Sequence, residues 1–384
     1  MEYRLKDCLE KVIDNRGKNP KYFDKEKYPV IDNVFIKNNY YINDKIVNRY
    51  INQETYNNFL RGYVEENMPI MTLVGSGIGN VGLIKNENVA IVQNTIGFKT
   101  KENLDSKYLY YWFLTKQNEL QSFNRGSGQP SIKKTDVENM EIDLPDIAIQ
   151  KKIVNILEKL DDKIYLNNQI NDNLLKLCNS VFHYYLDENK DSLSYKKIID
   201  IADRVVTGKT PSTKNKELWK EEIPFITIPD MHNQIYTIET ERKISRAGAT
   251  SIIPKDSISV SCIATVGLVS INVEESQTNQ QINSVVMKNE YDLFYLFEYL
   301  SEQEEFMKNI AGGSTTYNIN KNMFENIEIP YIPVEKVKEF HNIVKNMFQQ
   351  VKENQIENKY LEELRDTLLP RLMNGEIDLD KIEI

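Results

Sequence analysis

The sequence is poor in the residues on which most enzyme chemistry is built. It has three histidines, His183, His232 and His341, far apart along the chain, and three scattered cysteines, Cys8, Cys178 and Cys262. An odd, dispersed set of cysteines argues against a disulfide framework and fits a reducing cytoplasm. No Cys/His grouping has zinc spacing; Cys178 and His183, five apart, read as a helix seam residue and a helix-surface residue. No run of about 18 apolar residues occurs, and the start, Met1-Glu2-Tyr3-Arg4-Leu5-Lys6, lacks an apolar signal core, so neither a membrane span nor a leader is expected. There is no Gly-x-x-x-x-Gly-Lys-Ser/Thr phosphate loop. The Asn/Asp-Pro-Pro-aromatic tetrapeptide of base-amino methyltransferases is also missing, since Asn38-Asn39-Tyr40-Tyr41 lacks the prolines. Positive charge is short as well: the net charge is −9 and no segment is strongly basic. If this chain holds nucleic acid, basic partners must supply much of the phosphate neutralisation.

What is present is an ordinary globular composition, 40% hydrophobic and 27% charged over 384 residues, with 22 tyrosines and abundant asparagine. That length accommodates two or three domains. An internal repeat organises it. Tyr3-Arg4-Leu5-Lys6-Asp7 is matched with Tyr195-Lys196-Lys197-Ile198-Ile199, Gly17-Lys18-Asn19-Pro20 with Gly208-Lys209-Thr210-Pro211, and Val81-Gly82-Leu83-Ile84 with Val266-Gly267-Leu268-Val269. From Gly126/Gly313 onward, through Glu138-Asn139-Met140-Glu141-Ile142 and Glu325-Asn326-Ile327-Glu328-Ile329, the offset holds at 187. The segmentation is 1–145, a mixed domain; 146–186, a long helix; 187–333, a second mixed domain; and 334–384, a second long helix and tail. β-branched runs such as Ser257 to Ile263 read as strands, and Tyr108–Lys116 and Leu293–Leu300 as aromatic core helices. Pro145 and Pro333 introduce the long helices.

In the first long helix, Ile153, Leu157, Leu160, Ile164, Asn167, Asn171, Leu174, Cys178 and Val181 follow a 3.5-residue seam. Phe340, Val344, Met347, Val351, Asn354, Asn358, Leu361, Arg365 and Leu368 do so in the second. The Asn pairs sit at matching repeat positions. Antiparallel packing brings polar middle to polar middle and sets the register, against the plainer reading of Asn on a solvated face. A seam of roughly 30 residues is about 43 Å long, or about 12 base pairs of B-DNA at about 3.4 Å each. The fold class is therefore α+β: two mixed domains in tandem repeat, each followed by a long helix, the helices pairing as an antiparallel coiled coil with pseudo-two-fold symmetry.

Val74-Gly75-Ser76-Gly77-Ile78-Gly79-Asn80-Val81-Gly82 resembles a cofactor loop, but its repeat counterpart, Ser261-Cys262-Ile263-Ala264-Thr265-Val266-Gly267, keeps only the last glycine. With β-branched flanks, strand–turn–strand is expected instead of the strand–loop–helix of a dinucleotide site.

Leu364-Arg365-Asp366-Thr367-Leu368-Leu369-Pro370-Arg371-Leu372-Met373-Asn374-Gly375-Glu376-Ile377 resembles the C-terminal signature of type I restriction–modification specificity (S) subunits. The stretches Gln150-Lys151-Lys152-Ile153-Val154, Leu160-Asp161-Asp162-Lys163-Ile164 and Thr207-Gly208-Lys209-Thr210-Pro211 are similar to that family too. The resemblance implies a non-catalytic protein whose two target-recognition domains read a split, asymmetric target in double-stranded DNA. It further implies two methyltransferase (M) subunits docked on the spacer helices and two restriction (R) subunits. No cofactor is expected on this chain; S-adenosylmethionine, ATP and Mg2+ belong to the partners. No metal site is expected here either.

Base readers are drawn from Arg, Lys, Asn, Gln, Ser and Thr on loops. Three repeat-matched loops supply candidates: Lys18 and Asn19 with Lys209, Thr210 and Lys214; Gln93 and Asn94 with Gln280 and Gln281; and the glycine loops. The last hold Arg125, Ser127, Gln129, Lys133 and Lys134 in the first half, and Ser314, Thr315, Thr316, Tyr317, Asn318 and Lys321 in the second. Asn167, Asn171, Asn354 and Asn358 are the expected register residues. Two other classes stay open: a structural coiled-coil interaction protein with two ligand-binding heads, and an enzyme with an unrecognised site.

Overall fold

The computed structural model describes residues 2–17, 20–43, 47–126, 128–232, 234–312 and 317–379. The chain forms two compact units, one of residues 1–165 with 360–384, the other of residues 166–359. Two long helices, Ile147–Glu188 and Val334–Met373, contribute a portion to each.

In the first unit the chain begins with β1 (Glu2–Arg4) and β2 (Leu9–Asp14), followed by β3 (Tyr28–Ile31) and β4 (Tyr50–Ile51). β5 (Pro69–Thr72), β6 (Val81–Leu83), β7 (Ala90–Ile91), β8 (Thr95–Thr100) and β9 (Glu141–Asp143) complete its strands. The sheets run β2-β8-β5-β6, β4-β3-β7 and β1-β9. The helix Ser106–Thr115 is capped by Asp105, whose carboxylate accepts from the Lys107 and Tyr108 amides. Its residues Tyr108 through Phe113 are all buried, so this aromatic run is core. They pack with Ile153 and Leu157 of the first long helix and Leu369 and Leu372 of the second. Each such side chain contributes about 1.5–3 kcal/mol of burial.

The second unit repeats the plan with β10 (Ser194–Lys197), β11 (Ala202–Thr207), β12 (Ile223–Ile226), β13 (Tyr236–Thr237) and β14 (Arg242–Ile244). Then come β15 (Ile252–Ile253), β16 (Ile258–Ser261), β17 (Val269–Asn272), β18 (Ser276–Thr278), β19 (Ile282–Met287) and β20 (Glu328–Tyr331). Its sheets run β11-β19-β16-β17-β13, β14-β12-β18-β15 and β10-β20. The aromatic helix Leu293–Ser301 packs with Phe182, Phe340, Val344 and Phe348.

Sheet register corrects the repeat at two points. Arg4 pairs with Glu141 and Lys197 with Glu328, so Arg4 corresponds to Lys197 and Tyr3 to Lys196, not to Tyr195. The same β-bulge falls between Leu9 and Lys11 and between Ala202 and Arg204. The Gly79 amide donates to the Thr72 carbonyl as that of Gly267 does to Ser261, so Gly267 matches Gly79 and not Gly82. In both places a local run of similar letters is outweighed by the ladder, whose two-residue period makes register discrete.

The long helices pair antiparallel within each unit. In the first, Asp161, 2% exposed, accepts from the Arg365 guanidinium at 2.7 Å and the Tyr111 hydroxyl at 2.6 Å. Burial raises the carboxyl's pKa while Arg365 pulls it down; burial wins. Leu160, assigned to the seam above, is only partly buried. The seam steps by four from Leu157 to Asp161 because 3.6 residues per turn drifts against a strict 3.5 repeat. For the same reason Phe182, not Val181, is the fully buried residue near the helix end. In the second unit, Asn354 Nδ2 donates to Asn171 Oδ1 at 2.8 Å, and Asn167 Nδ2 donates to Asn358 Oδ1 at 2.8 Å. All four are buried.

Replacing one member, Asn354→Leu, strands the Asn171 carbonyl and should lower stability by about 1–3 kcal/mol in urea unfolding. The double replacement Asn171→Leu/Asn354→Leu should recover most of that loss.

Glu298 gives a pH test. It is 4% exposed on the second aromatic helix, and burial pushes its carboxyl up to about 7, with Asn179 donating to it at 3.3 Å. Between about pH 4.5 and 7 the folded chain holds a proton that the unfolded chain has lost, so this group's contribution becomes less favourable as pH rises. Glu298→Gln should stabilise by up to about 3 kcal/mol above pH 7 and do nothing below about pH 4.5. Melting curves at pH 4.5 and 8 check it; an equal gain at both would contradict this account.

Candidate nucleic-acid interface

Within each unit, loops distant in sequence meet at one end of the central sheet. In the second unit the glycine–lysine turn follows directly on β11. The Gly208 amide donates to the Ile282 carbonyl and that of Lys209 to Thr278. A Cβ at Gly208 would lie 2.1 Å from the Asn279 carbonyl oxygen, so only glycine permits this approach. Gln277, fully buried, accepts from the Thr250 and Ser251 amides and donates to the Lys209 carbonyl at 2.6 Å. The Thr210 hydroxyl donates to Gln280 Oε1 at 2.5 Å. The Gln281 carbonyl accepts from the Cys262 amide at 2.8 Å, and the Tyr317 carbonyl from the Ala264 amide at 3.1 Å. Asn318 bridges to Ile263 and to Gly312. Lys209, Thr210, Gln280, Gln281, Tyr317 and Asn318 are thus brought into one cluster.

The first unit builds the same scaffold. The Leu73 amide donates to the Asn94 carbonyl, that of Gly75 to Pro130, and that of Ile132 to Leu73. These are the positional equivalents of the Cys262, Ala264 and Ile319 bonds. The glycine-rich segment is a β5–β6 hairpin with no helix after it, as expected. Gln121 and Gln117 hold its tip by donating to the carbonyls of Ile78 at 2.6 Å and Gly79 at 3.2 Å. Gln93 has a positive φ of 34° and, with Asn94, borders the cluster, half-buried. Gln129 is exposed.

Part of the charge in and beside these loops is internally compensated. Arg125 pairs with Asp136 at 3.0 Å, Lys134 with Glu138 at 3.4 Å and Lys321 with Glu325 at 3.5 Å. Next to the first loop, Arg16 binds Asp14 at 2.6 Å and holds its carboxyl below the usual range. Lys133, Lys209 and Lys214 are exposed. Lys134 and Lys321 open short helices, Lys134–Glu138 and Lys321–Glu325, just beyond the loops. Lys18, Asn19, Ser127, Ser314, Thr315 and Thr316 lie outside the described residues.

Sequence reasoning missed several side chains here. Asn33, 9% exposed, donates to the Ser76 carbonyl at 3.1 Å and so ties a distant segment to the hairpin. With asparagine abundant everywhere, nothing marked this one. Past Lys214, Lys216 and Trp219 line a shallow cavity of about 430 Å3 with Arg242, whose guanidinium lies 5.0 Å over the Trp219 ring. The rarity of tryptophan was the available signal. Among the described residues no group of three His, Cys, Asp or Glu could hold a metal ion, and no helix is long and apolar enough to cross a membrane.

The structure thus defines a tandem-repeat protein with two similarly built, differently furnished loop faces. The chain matches the profile of the type I restriction modification DNA specificity domain twice, over residues 1–176 and 191–366. It is 33% identical to the type I restriction enzyme HindI specificity subunit of Haemophilus influenzae, over 66% of this chain and 72% of that one. It is 23% identical to the putative MjaX specificity subunit of Methanocaldococcus jannaschii, over 72% and 69%. The S subunit structure from M. genitalium has the same fold, with TM-score 0.60 at 15% identity over 97% of this chain and 95% of that one. The chain belongs to the family of type I restriction–modification specificity subunits, the recognition components of these systems and not their catalysts.

One loop position carries visible strain. Gly75 has φ 97°, and its equivalent Ala264 holds φ 65°, where a Cβ costs about 1–2 kcal/mol. Ala264→Gly should therefore raise thermal stability, by up to about 1 kcal/mol after the entropy of the freer unfolded chain is charged against it. Scanning calorimetry checks this.

Proposed function

We propose that the two loop faces read the two halves of a split, asymmetric target in double-stranded DNA, while M and R subunits, two of each, dock on the same chain. The observation that carries this reading is that in each unit loops distant in sequence converge on one backbone scaffold whose side chains differ in part. Gln280 keeps the residue of its equivalent Gln93, but Gln281 stands against Asn94, Tyr317 against Pro130 and Ala264 against Gly75. Equal scaffolds fit two equivalent pieces of duplex, and unequal side chains fit unequal sequences. The long helices act as the spacer between the readers. With the chain at a net charge of −9 and Arg125 held by Asp136, the partners supply much of the phosphate neutralisation. S-adenosylmethionine, ATP and Mg2+ are held by those partners, and the assembly works in the cytoplasm.

The test is co-expression with a type I methyltransferase subunit and single-molecule mapping of methylated bases. The expected result is a two-part motif with an unread gap. Replacing Thr210, Gln280 and Gln281 by alanine should relax or abolish one half of that motif and leave the other unchanged, each lost base contact being worth about 1–3 kcal/mol. A continuous motif, or both halves changing together, would overturn the two-reader reading.

A further inference from the structure

Away from its loop face, the second unit holds a cavity at a place that the first unit fills with its own side chains. β19 runs from Ile282 beside the loops to Met287, and the cavity lies at the Met287 end. About 480 Å3 in volume, it is bounded by residues 254–257, the end of β19, the start of the helix Leu293–Ser301 and residues 341–352 of the second long helix. Tyr236, Val286, Leu293 and Phe294, all buried, make its apolar wall. The His341 ring stacks on Phe294 with centroids 5.4 Å apart. Burial holds that imidazole below its usual range, so at neutral pH it joins the wall uncharged. Charge stands at the open side. Lys352 lies 5.5 Å over the Tyr236 ring, and it shares Asp256 with the exposed Lys255 at 3.8 Å each. Glu290 and Lys345 are exposed, and Lys345 makes no ion pair among the described residues. Three ammonium groups thus stand against two carboxylates.

The repeat supplies the comparison. At the offset of 187, Phe294 corresponds to Lys107 and Lys345 to Glu158. In the first unit these two close on each other, Lys107 Nζ donating to Glu158 Oε2 at 2.7 Å. The Tyr40 hydroxyl donates to the same oxygen at 3.2 Å, and the Lys107 ammonium lies 5.9 Å from the Tyr40 ring. The Leu83 amide donates to the Tyr40 carbonyl as that of Ile271 does to Ile235, so the second unit has Ile235 in place of that phenol. Along one helix face Glu158, Asp162 and Tyr165 become Lys345, Gln349 and Lys352. Two acids give way to two lysines, and the ion pair is gone. The fold is able to close this place with an ion pair and a phenol; the second unit leaves it open, with an apolar wall facing an unpaired cation.

We infer that this cavity binds a small, flat apolar molecule bearing a single negative charge, an aromatic carboxylate being the simplest case. Small-molecule sites are commonly about 300–1,000 Å3, apolar in their walls and furnished with a few polar groups that fix orientation. Here the ring lies against Phe294 and Val286, and the anion meets Lys345. The single excess positive charge sets the charge of the ligand. This site is independent of the DNA reading and stands or falls separately from it.

The test titrates the full chain with anilinonaphthalene sulfonate, an aromatic monoanion that fluoresces on binding, and with its uncharged counterpart N-phenylnaphthylamine. The wild-type chain should bind the sulfonate saturably, and naphthoate should displace it. Phe294→Lys/Lys345→Glu rebuilds the ion pair of the first unit and should weaken sulfonate binding by about tenfold or more, with circular dichroism confirming the fold. Lys345→Gln changes an exposed residue and leaves the core untouched. It should weaken the sulfonate by up to about fivefold and leave the uncharged probe unaffected. A wild-type chain that does not bind the sulfonate, or folded variants that bind it as the wild type does, would overturn the site. Equal weakening of both probes by Lys345→Gln would overturn the assignment of the anion.

Discussion

Four asparagines buried in a helix seam impose a condition on everything attached to those helices. Asn167 meets Asn358 and Asn171 meets Asn354, and each is buried away from water. A slip of one heptad would set Asn167 opposite Val351 and Asn171 opposite Met347. Every amide would then lose its partner in an apolar seam, at about 1–3 kcal/mol apiece. The amides are nearly neutral when paired and expensive when not, so they act on register far more than on net stability. Each pair is the repeat image of the other: at an offset of 187, Asn167 and Asn358 become Asn354 and Asn171. The helix pairing thus carries its own two-fold relation in sequence.

That relation holds for the backbone and fails for the charges. The buried trio of Tyr111, Asp161 and Arg365 in the first unit corresponds to Glu298, Phe348 and Cys178 in the second. One unit buries a carboxylate with a guanidinium and a phenol within 2.7 Å of it. The other fills the same position with Phe348 stacked on Phe294 at 4.3 Å, and pays with a carboxyl on Glu298 that burial drives towards its neutral form. Two chemically unlike fillings support one helix geometry because close packing and satisfied hydrogen bonds are the requirement, not identity.

The architecture was legible because it rests on period and repetition. The aromatic helices, the long seams and the tandem halves are each written in the spacing of apolar residues, and the family signature near Arg365 added the class. The seam was misread at Leu160 because a strict heptad was assumed where the helix steps on to Asp161, and no scan for apolar residues selects an aspartate. The glycine correspondences slipped because letters were aligned where hydrogen bonds decide. At the loops, sequence chose segments well and side chains less well. The loops with Lys209, Gln280 and Tyr317 do converge. Asn33, Gln277 and Gln121, which hold such loops in place, are polar residues whose partners are backbone atoms 26 or more positions away, which composition cannot show.

The division of labour within each unit follows from the strand as a mechanical element. A pair of hydrogen-bonded strands fixes the distance between its ends and leaves the chemistry of each end independent. In this fold β2 and β8, like β11 and β19, run between the loops at one end and the turns Leu5–Cys8 and Ile198–Ile201 at the other. A change such as Gly75 to Ala264 is absorbed locally, as backbone strain within one turn, because the bonds to Pro130 and Tyr317 are made by main-chain atoms and survive any side chain. A main-chain scaffold that tolerates different side chains is what a recognition module needs if its specificity is to vary while its fold does not.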